Sequence, residues 1–199
     1  MPTTLASETH RNVQHWPPQG AWTYSDYARL PDSGVRYEVI QGDLFMSPAP
    51  STRHQSASFA LAVALHLHVK ENGLGRVFEA PIDVLLPELA SPVQPDVLFI
   101  AASRLAIVKE KFIDGVPDLI VEVLSPGNPD HDRRTKFNLY AQAGVTEYWI
   151  VDPDACRADV YALRGHAYVP FGSFGPEDTA QSELLPDFRV PLRDVCANL

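Results

Sequence analysis

The six residues at 119–124, LIVEVL, form a run that is apolar except for Glu122. A short continuous apolar run of this kind is typical of a β-strand whose sheet is covered on both faces. Such a strand needs helices or a second sheet on each side, which favours an α/β or α+β fold. Glu122 is anomalous there, because a buried carboxylate costs several kcal/mol unless cations or several hydrogen-bond donors replace its water.

A second acid, Asp96, stands at the start of another predicted strand at 97–101. Two carboxylates on neighbouring strands provide oxygen ligands for a hard divalent cation, and magnesium commonly uses one or two carboxylates together with water and substrate phosphate. We therefore predict that Asp96 and Glu122 bind a metal ion. The alternatives are a buried ion pair with an arginine, or a position of the acid at the edge of the sheet.

Three further ionisable residues are candidates for the same site. Lys136 lies in a predicted helix after the Glu122 strand and shares a helix face with Tyr140. A lysine that reaches the two acids can hold an attacking water or stabilise charge on a pentacovalent phosphate, whereas the alternative is a solvated surface lysine. Glu38, in a strand, and His54, in the first turn of a long helix, are added because of their positions alone.

The chain has 199 residues, which is the size of one domain with its own core. Residues 1–21 show no hydrophobic periodicity, so we predict a flexible N-terminal arm followed by a single domain at 22–199. No stretch has the roughly 20 apolar residues of a spanning helix, and the first residues lack a signal-peptide pattern. These patterns predict a cytoplasmic protein that has no membrane partner.

Two longer helices are predicted. The segment 52–70 contains no Gly or Pro, and Asn72-Gly73 ends it. Apolar residues on more than one side of this helix predict that other elements cover it. The second helix is predicted at about 132–142, with Gly144 as its C-terminal stop.

The rest of the pattern predicts strands. Gln41-Gly42 separates two strand-like segments and indicates a β-hairpin. The other predicted strands are 76–86, 97–101, 119–124, 147–151, 159–163 and 166–169, and 103–113 is predicted as a short helix or loop. Helices and strands in this order favour an α/β or α+β arrangement on one sheet.

Cysteine spacing and charge limit the possible chemistry. Cys156 and Cys196 lie forty positions apart without a C-x-x-C spacing, so we predict neither a zinc site nor a disulfide. The chain has 16 Lys and Arg against 25 Asp and Glu, a net charge of −9, which disfavours non-specific nucleic-acid binding.

The charge is unevenly distributed along the chain. Residues 101–140 contain six basic and six acidic side chains, which gives 6 − 6 = 0. If Asp118 and Glu122 face inward, the exposed part of this segment is net basic. The acidity therefore does not exclude a phosphodiester substrate, and it predicts weak, strongly salt-dependent DNA binding on one face.

Several segments in a fixed order match one known family. They are YEVIQG at 37–42, His54 in the following helix, PDV at 95–97, PDLIVEVLSP at 117–126, Lys136 with Tyr140, and GVTEYWIVD at 144–152. This set resembles the Uma family of "putative restriction endonucleases" in the PD-(D/E)XK nuclease superfamily. The resemblance covers about residues 22–199.

The resemblance implies a restriction-endonuclease-like α/β fold: a central mixed β-sheet flanked by helices, with additional short strands at the C-terminus. It implies that Asp96 and Glu122 hold Mg²⁺ or Mn²⁺, that Lys136 is the catalytic lysine, and that Glu38 is an additional acid beside the metal. In the simplest superfamily motif the lysine stands two residues after the glutamate, where this chain has Leu124. A lysine from the next helix must therefore supply the charge.

The implied function is a metal-dependent endonuclease that hydrolyses DNA phosphodiester bonds by a metal-activated water. Two alternatives stay open: an inactive interaction module that keeps the nuclease fold, and a metal-dependent phosphoesterase with another substrate. By analogy with nucleases that cut both strands, we expect a homodimer. No helix-turn-helix or zinc-finger spacing is present, so the sequence does not predict which DNA is recognised.

Overall fold

The computed structural model describes residues 15–31, 34–47, 49–125 and 131–196, the last range without the side chains of 131–133. In this part of the chain the strands form a six-stranded, a five-stranded and a two-stranded sheet. The predicted α/β fold, with mixed sheets flanked by helices, is confirmed. The strands nevertheless divide between separate sheets rather than forming one. No helix in the described ranges is long and apolar enough to cross a membrane.

The regular elements are numbered in chain order. The strands are β1 (Arg36–Ile40), β2 (Asp43–Ser47), β3 (Gly75–Glu79), β4 (Asp83–Leu86), β5 (Ala90–Val93), β6 (Val97–Ala101), β7 (Phe112–Asp114), β8 (Leu119–Val123), β9 (Glu147–Asp152), β10 (Arg157–Arg164), β11 (Ala167–Phe174), β12 (Thr179–Gln181) and β13 (Arg189–Pro191). The helices are α1 (Tyr24–Tyr27), α2 (Thr52–Glu71), α3 (Phe137–Ala143) and α4 (Leu192–Cys196), with a 3₁₀ helix at Ala102–Ile107 and a π-helical segment at His131–Lys136.

The six-stranded sheet has the order β11-β10-β9-β8-β6-β3 and is antiparallel except for the parallel pair β8 and β9. The five-stranded sheet has the order β2-β1-β5-β4-β7, and β4 and β7 are its parallel pair. The strand β8 carries Glu122 and lies inside the larger sheet, as its apolar run predicts.

Each face of the six-stranded sheet packs against a different layer. One apolar cluster joins alternate residues of β6, β8 and β9 to α2 and to the C-terminal segment, residues 180–195. The other joins the remaining alternate residues to α3 and to strands of the five-stranded sheet. Because neighbouring residues of a strand face opposite sides, this cover on both faces explains the uninterrupted apolar sequence of β8.

Helix α2 is bounded by the signals that its sequence contains. Ser51 caps its N-terminus by accepting a hydrogen bond from the main-chain nitrogen of His54 at 3.2 Å, and the turn after it contains Gly73 with φ of 63°. The prediction that α2 is covered on several sides is wrong. Phe59, Val63 and Leu67, spaced four residues apart, leave 62%, 40% and 51% of their surface exposed.

The predicted strand at 76–86 is two strands that belong to different sheets. β3 pairs with β6 in the larger sheet, whereas β4 pairs with β5 and β7 in the smaller one. Pro81 lies between them, and a proline has no N–H to continue a ladder. The sequence interpretation also missed β5 and β7, which are short and have no alternating pattern long enough to detect.

The prediction that the cysteines are unpaired is wrong. Cys156 and Cys196 form a disulfide, with their Cα atoms 5.7 Å apart. The pairing joins the turn between β9 and β10 to the last residue of α4. Forty residues of sequence separate the two cysteines, so only the tertiary fold brings them together.

Residues 15–21 of the predicted N-terminal arm lie against the β1–β2 hairpin. The Gln19 side chain exchanges two hydrogen bonds with the main chain of Leu44, at 2.7 and 3.0 Å. The ring of Trp16 stacks on that of Trp22 with 5.5 Å between centroids. The rest of the arm lies outside the described residues.

Candidate functional site

The two predicted metal-binding acids meet at one end of β6 and β8. These strands are antiparallel with Val97 opposite Val121, so one step further along the ladder Asp96 lies across from Glu122. Directly opposed residues of an antiparallel pair point to the same face of the sheet. The main-chain nitrogen of Val123 donates to Oδ2 of Asp96 at 2.9 Å, which ties the two strand ends together.

Asp96 is held by two basic side chains as well as by Val123. Nη1 of Arg36 donates to Oδ1 at 2.9 Å, and Nε2 of His54 lies 3.1 Å from Oδ2. Burial raises the pKa of Asp96, but the hydrogen bond from His54 and the charges of His54, Arg36 and Lys136 outweigh it and lower that pKa well below its ordinary value. Asp96 is therefore an ionised, acceptor-only carboxylate.

Lys136 links the other two acids. Its Nζ lies 3.0 Å from Oε1 of Glu122 and 3.0 Å from Oε1 of Glu38. The hydroxyl of Tyr140 also donates to Oε1 of Glu122, at 2.7 Å, and the main-chain nitrogen of Gln94 donates to Oε1 of Glu38, at 2.8 Å. A lysine from the next helix thus reaches the glutamate of β8, although Leu124 occupies the position of the simplest superfamily motif.

Five predicted site residues come together in one buried cluster. Glu38, Asp96 and Glu122 are 1–2% exposed, Lys136 is 3% exposed and His54 is 5% exposed. With Arg36 added, the cluster contains three carboxylates, two permanent cations and the imidazole of His54. Buried charges of this kind need mutual pairing, because each ion loses several kcal/mol of hydration energy.

Besides β8 and the start of β6, which carry Glu122 and Asp96, three other parts of the fold supply these side chains. Glu38 and Arg36 stand two residues apart on β1, so both point from the five-stranded sheet towards the same side. His54 is in the first turn of α2, whose start is fixed by the Ser51 cap. Lys136 ends the π-helical segment and Tyr140 follows one turn later in α3. Short π-helical insertions often occur at functional sites because they re-aim side chains.

His54 is held asymmetrically. Its Nε2 contacts Asp96, whereas its Nδ1 is buried without a hydrogen-bond partner in the part of the chain that the structure describes. A buried ring nitrogen without a partner carries a desolvation cost. The imidazole is therefore oriented mainly through Asp96.

The sequence interpretation missed two residues of the cluster. The sequence pattern indicates only that Arg36 lies in a hairpin strand. Its i,i+2 spacing from Glu38 nevertheless places both side chains on the same face of that strand. Gln94 had no sequence signal, because it acts through its main-chain nitrogen on Glu38. Its side chain also donates to the hydroxyl of Tyr27 at 3.2 Å and to Oδ1 of Asp83 at 2.8 Å, which extends the network behind the site.

Asp118 does not face the site. It lies at the opposite end of β8, where its carboxylate accepts from the main-chain nitrogen of Ala101 at 2.8 Å and from Nη1 of Arg104 at 2.7 Å. Asp118 is buried, as the charge argument assumed, but it neutralises Arg104 instead of contributing to the acid cluster.

The chemistry of the donor set fits a hard divalent cation. The oxygens of Glu38, Asp96 and Glu122 are ligands that magnesium and manganese accept, and these three carboxylates outnumber the permanent cations Arg36 and Lys136. In the described residues no group of three or more His, Cys, Asp or Glu side chains is arranged as a metal site. Magnesium commonly needs only one or two carboxylates beside water and substrate oxygens, so the pair Asp96 and Glu122 suffices by number.

The sequence model of the Uma2 family, described as "putative restriction endonuclease", matches residues 24–193. The chain belongs to the Uma2 family. Its match covers every strand in the six-stranded and five-stranded sheets and all the residues of the acid cluster. Uma2 membership supports a nuclease, which hydrolyses nucleic acid, and confirms the resemblance seen in the sequence.

A solved structure shows the same fold. A "putative nuclease belonging to DUF820" from Anabaena variabilis ATCC 29413 superposes with a TM-score of 0.73 and 19% sequence identity. The match covers 88% of this Uma2 chain and 98% of that protein. No curated protein matches the sequence. The roles of individual site residues stay a prediction.

Proposed function

We propose that this protein is an endonuclease that hydrolyses phosphodiester bonds of DNA with the help of Mg²⁺ or Mn²⁺. The observation that carries the proposal is the contact of Lys136 with both Glu38 and Glu122, beside the Asp96 carboxylate. Two strand-borne acids and a lysine from another element form the residue set that a phosphodiesterase needs. Membership of a nuclease family supports the same conclusion.

Asp96 and Glu122 would hold the metal, and Glu38 is an additional acid beside it. A divalent ion bound there supplies Lewis-acid stabilisation of the phosphoryl oxygens. Arg36 and His54 keep the carboxylate of Asp96 ionised and fixed in orientation. Tyr140 fixes Glu122 in the same way. These contacts restrict both ligands before substrate arrives, which lowers the reorganisation needed during reaction.

Lys136 would act on the reacting groups directly. An ammonium group has three N–H donors that can be aimed in different directions. Held between Glu38 and Glu122, Nζ can orient the attacking water or stabilise negative charge that develops on the phosphoryl group. Attack of water on phosphorus forms a new P–O bond and breaks the bond to one bridging oxygen, which takes up a proton, so that the cut leaves a phosphate monoester on one side and a hydroxyl on the other.

The test is cleavage of supercoiled plasmid and of labelled linear DNA by the purified protein in Mg²⁺, in Mn²⁺ and in EDTA. We expect nicked or linear products with either metal and no product in EDTA. Asp96→Asn and Glu122→Gln should each lower the cleavage rate by at least about 100-fold, the scale on which a lost catalytic electrostatic group acts. Asp187→Asn is the matched control, since Asp187 is exposed in a turn far along the sequence from these residues.

The same experiment separates the alternatives. Cleavage of a small phosphodiester or nucleotide but not of DNA, dependent on Glu122, would support the phosphoesterase and overturn the DNA substrate. No hydrolysis by a folded wild-type protein with any of these substrates would support the inactive module. Cleavage that persists in Glu122→Gln would overturn the site. The predicted homodimer and cytoplasmic location stay predictions, which sedimentation and cell fractionation test.

A further inference from the structure

A cleft of about 450 Å³ lies at one end of the paired strands β3 and β6, and Asp96 lies at the opposite end. The last turns of α2, the start of β3 and the 3₁₀ helix enclose it. Its ionisable lining residues are all basic: His66, Lys70 and Arg76. Among the described residues no acidic side chain lines this cleft, although the chain as a whole carries a charge of −9.

The two permanent cations in this cleft differ from most arginines of the protein. In the described part of the chain, no carboxylate lies within 4 Å of the charged groups of Lys70 or Arg76. Among the described residues, the arginines that do have such a partner include Arg29, Arg36, Arg53, Arg104, Arg157, Arg164 and Arg193. All three basic residues of the cleft are exposed. Their charges are therefore available to an anionic ligand.

One edge strand connects this basic cleft to the candidate active site. β3 begins at Gly75 in the cleft, and its last residue, Glu79, pairs with Val97, which follows Asp96. Ala80 donates its main-chain N–H to the carbonyl oxygen of Asp96 at 3.0 Å. From Arg76 to Ala80 the strand covers about 13 Å, at about 3.3 Å per residue. That length corresponds to about four nucleotides along a duplex axis, at about 3.4 Å per nucleotide of one strand.

The strand β3 is also the outer strand of its sheet, so within the described ranges no further strand pairs with it on that side. A DNA strand could pass along this edge from one end to the other. Phosphates outside the reacting bond are usually held by lysine and arginine side chains that fix the position of the duplex but do not read its sequence. His66, Lys70 and Arg76 have the chemistry for that contact.

We infer that the basic cleft binds the phosphate backbone of the DNA a few nucleotides away from the bond that is cut. The inference rests on the proposed DNA nuclease function and adds the surface that positions the substrate. Lys70 and Arg76 each neutralise one backbone phosphate, and His66 contributes a hydrogen bond. Binding at this surface is independent of base sequence and releases counterions.

The test is a DNA-binding titration of Lys70→Gln/Arg76→Gln against wild type in EDTA, where metal-dependent hydrolysis cannot proceed. The probe is a short fluorescein-labelled duplex of mixed sequence, followed by anisotropy between about 50 and 200 mM salt. Arg157→Gln/Arg164→Gln is the matched control. It removes the same charge from β10, four strands and about 19 Å from β3 at about 4.8 Å per strand. Circular dichroism melting checks that all three proteins are folded.

We expect Lys70→Gln/Arg76→Gln to bind between about 10-fold and 100-fold more weakly at about 0.1 M salt. The slope of log affinity against log salt should fall by about 1.8, that is about 0.9 for each lost phosphate contact. Arg157→Gln/Arg164→Gln should keep the wild-type slope. If wild type binds and Lys70→Gln/Arg76→Gln matches it in affinity and slope, the cleft inference is wrong and the proposed function stands. If folded wild type binds no DNA in EDTA, the cleft inference is overturned, and plasmid cleavage in Mg²⁺ decides the proposed function separately.

Discussion

Two buried glutamates on neighbouring strands have different kinds of hydrogen-bond partner, ionic for one and neutral for the other. Glu122 on β8 and Glu147 on β9 are each 1% exposed, and the two strands are parallel partners. Glu122 contacts the ammonium of Lys136 and the hydroxyl of Tyr140. Glu147 accepts four neutral hydrogen bonds of 2.7–2.8 Å, from the indole of Trp149, the hydroxyl of Ser182 and the main-chain nitrogens of Glu183 and Leu184.

The difference shows that burial alone does not identify a functional acid. Glu147 projects to the side of Trp149 and α2, where fixed dipoles surround it and hold the C-terminal segment on the sheet. Glu122 projects to the other side, where its partner Lys136 is shared with a second acid. A metal or a phosphate can replace or compete for such ionic partners, whereas main-chain donors stay in place. The ionic cluster therefore has the chemistry of a reaction site and the neutral one that of an anchor.

The largest effect is expected for Lys136→Met. This substitution removes the cation that Glu38 and Glu122 share, and loss of one partner of a buried ion pair costs about 3–5 kcal/mol of unfolding free energy. Urea denaturation checks this value. Addition of Mg²⁺ should recover part of the loss, because a ligand that binds only the folded state stabilises it. A fully stable Lys136→Met protein would contradict the ionic account of the site.

The disulfide that joins α4 to the turn between β9 and β10 is tested by Cys156→Ser/Cys196→Ser. Removal of the disulfide releases a loop of forty residues and should cost about 2–4 kcal/mol. Thermal and urea denaturation of the double variant, next to wild type with and without reductant, measure it. Cleavage activity per folded molecule should be unchanged, since both cysteines pack on the α2 side of the six-stranded sheet, whereas Glu122 faces the other side. A loss of activity without a loss of stability would show that the two regions are coupled.

Tyr140→Phe removes one donor to Glu122 and keeps the ring. Burial and the charges of Glu122 and Glu38 raise the pKa of Tyr140 well above its ordinary value, so the hydroxyl stays a donor under assay conditions. Loss of a hydrogen bond to a charged group costs about 1.5–3 kcal/mol of stability. Urea titration measures this cost, and an unchanged midpoint would show that Lys136 alone holds Glu122.

Glu147→Gln is the counterpart in the neutral anchor. One oxygen that accepts two hydrogen bonds is replaced by a donor, which leaves a buried group unsatisfied and costs about 1–3 kcal/mol. Mg²⁺ should not recover this loss, in contrast to Lys136→Met. Recovery by Mg²⁺ in Glu147→Gln would remove the distinction between the two glutamates.

Local sequence patterns predicted the elements that local rules determine. The β1–β2 hairpin, α2 and the strands β6, β8 and β9 are confirmed, because a Gly turn, a Gly- and Pro-free helix and apolar runs each act over a few residues. The division of the strands into two sheets and the Cys156–Cys196 pairing were not predicted. Both depend on contacts between residues far apart in sequence.

The candidate site follows the same rule. Asp96 and Glu122 were detectable because an acid inside or beside an apolar strand conflicts with its surroundings. Glu147 was not singled out, since it begins its strand and three of its four partners lie more than thirty residues away. Arg36 and Gln94 were missed because the packing of the five-stranded sheet against the six-stranded sheet, which places them at the site, cannot be derived from sequence spacing.

The most direct test of the distinction between the two glutamates is Mn²⁺ binding measured by titration calorimetry on wild type, Glu122→Gln and Glu147→Gln at equal folded concentration. Wild type and Glu147→Gln should bind Mn²⁺ with the same affinity. Glu122→Gln should bind Mn²⁺ at least about tenfold more weakly. Substitution of a residue that only hydrogen-bonds to a metal ligand already lowers metal affinity by about that much. Equal Mn²⁺ binding by Glu122→Gln and wild type, or weakened binding by Glu147→Gln alone, would contradict the assignment of the metal to the ionic cluster.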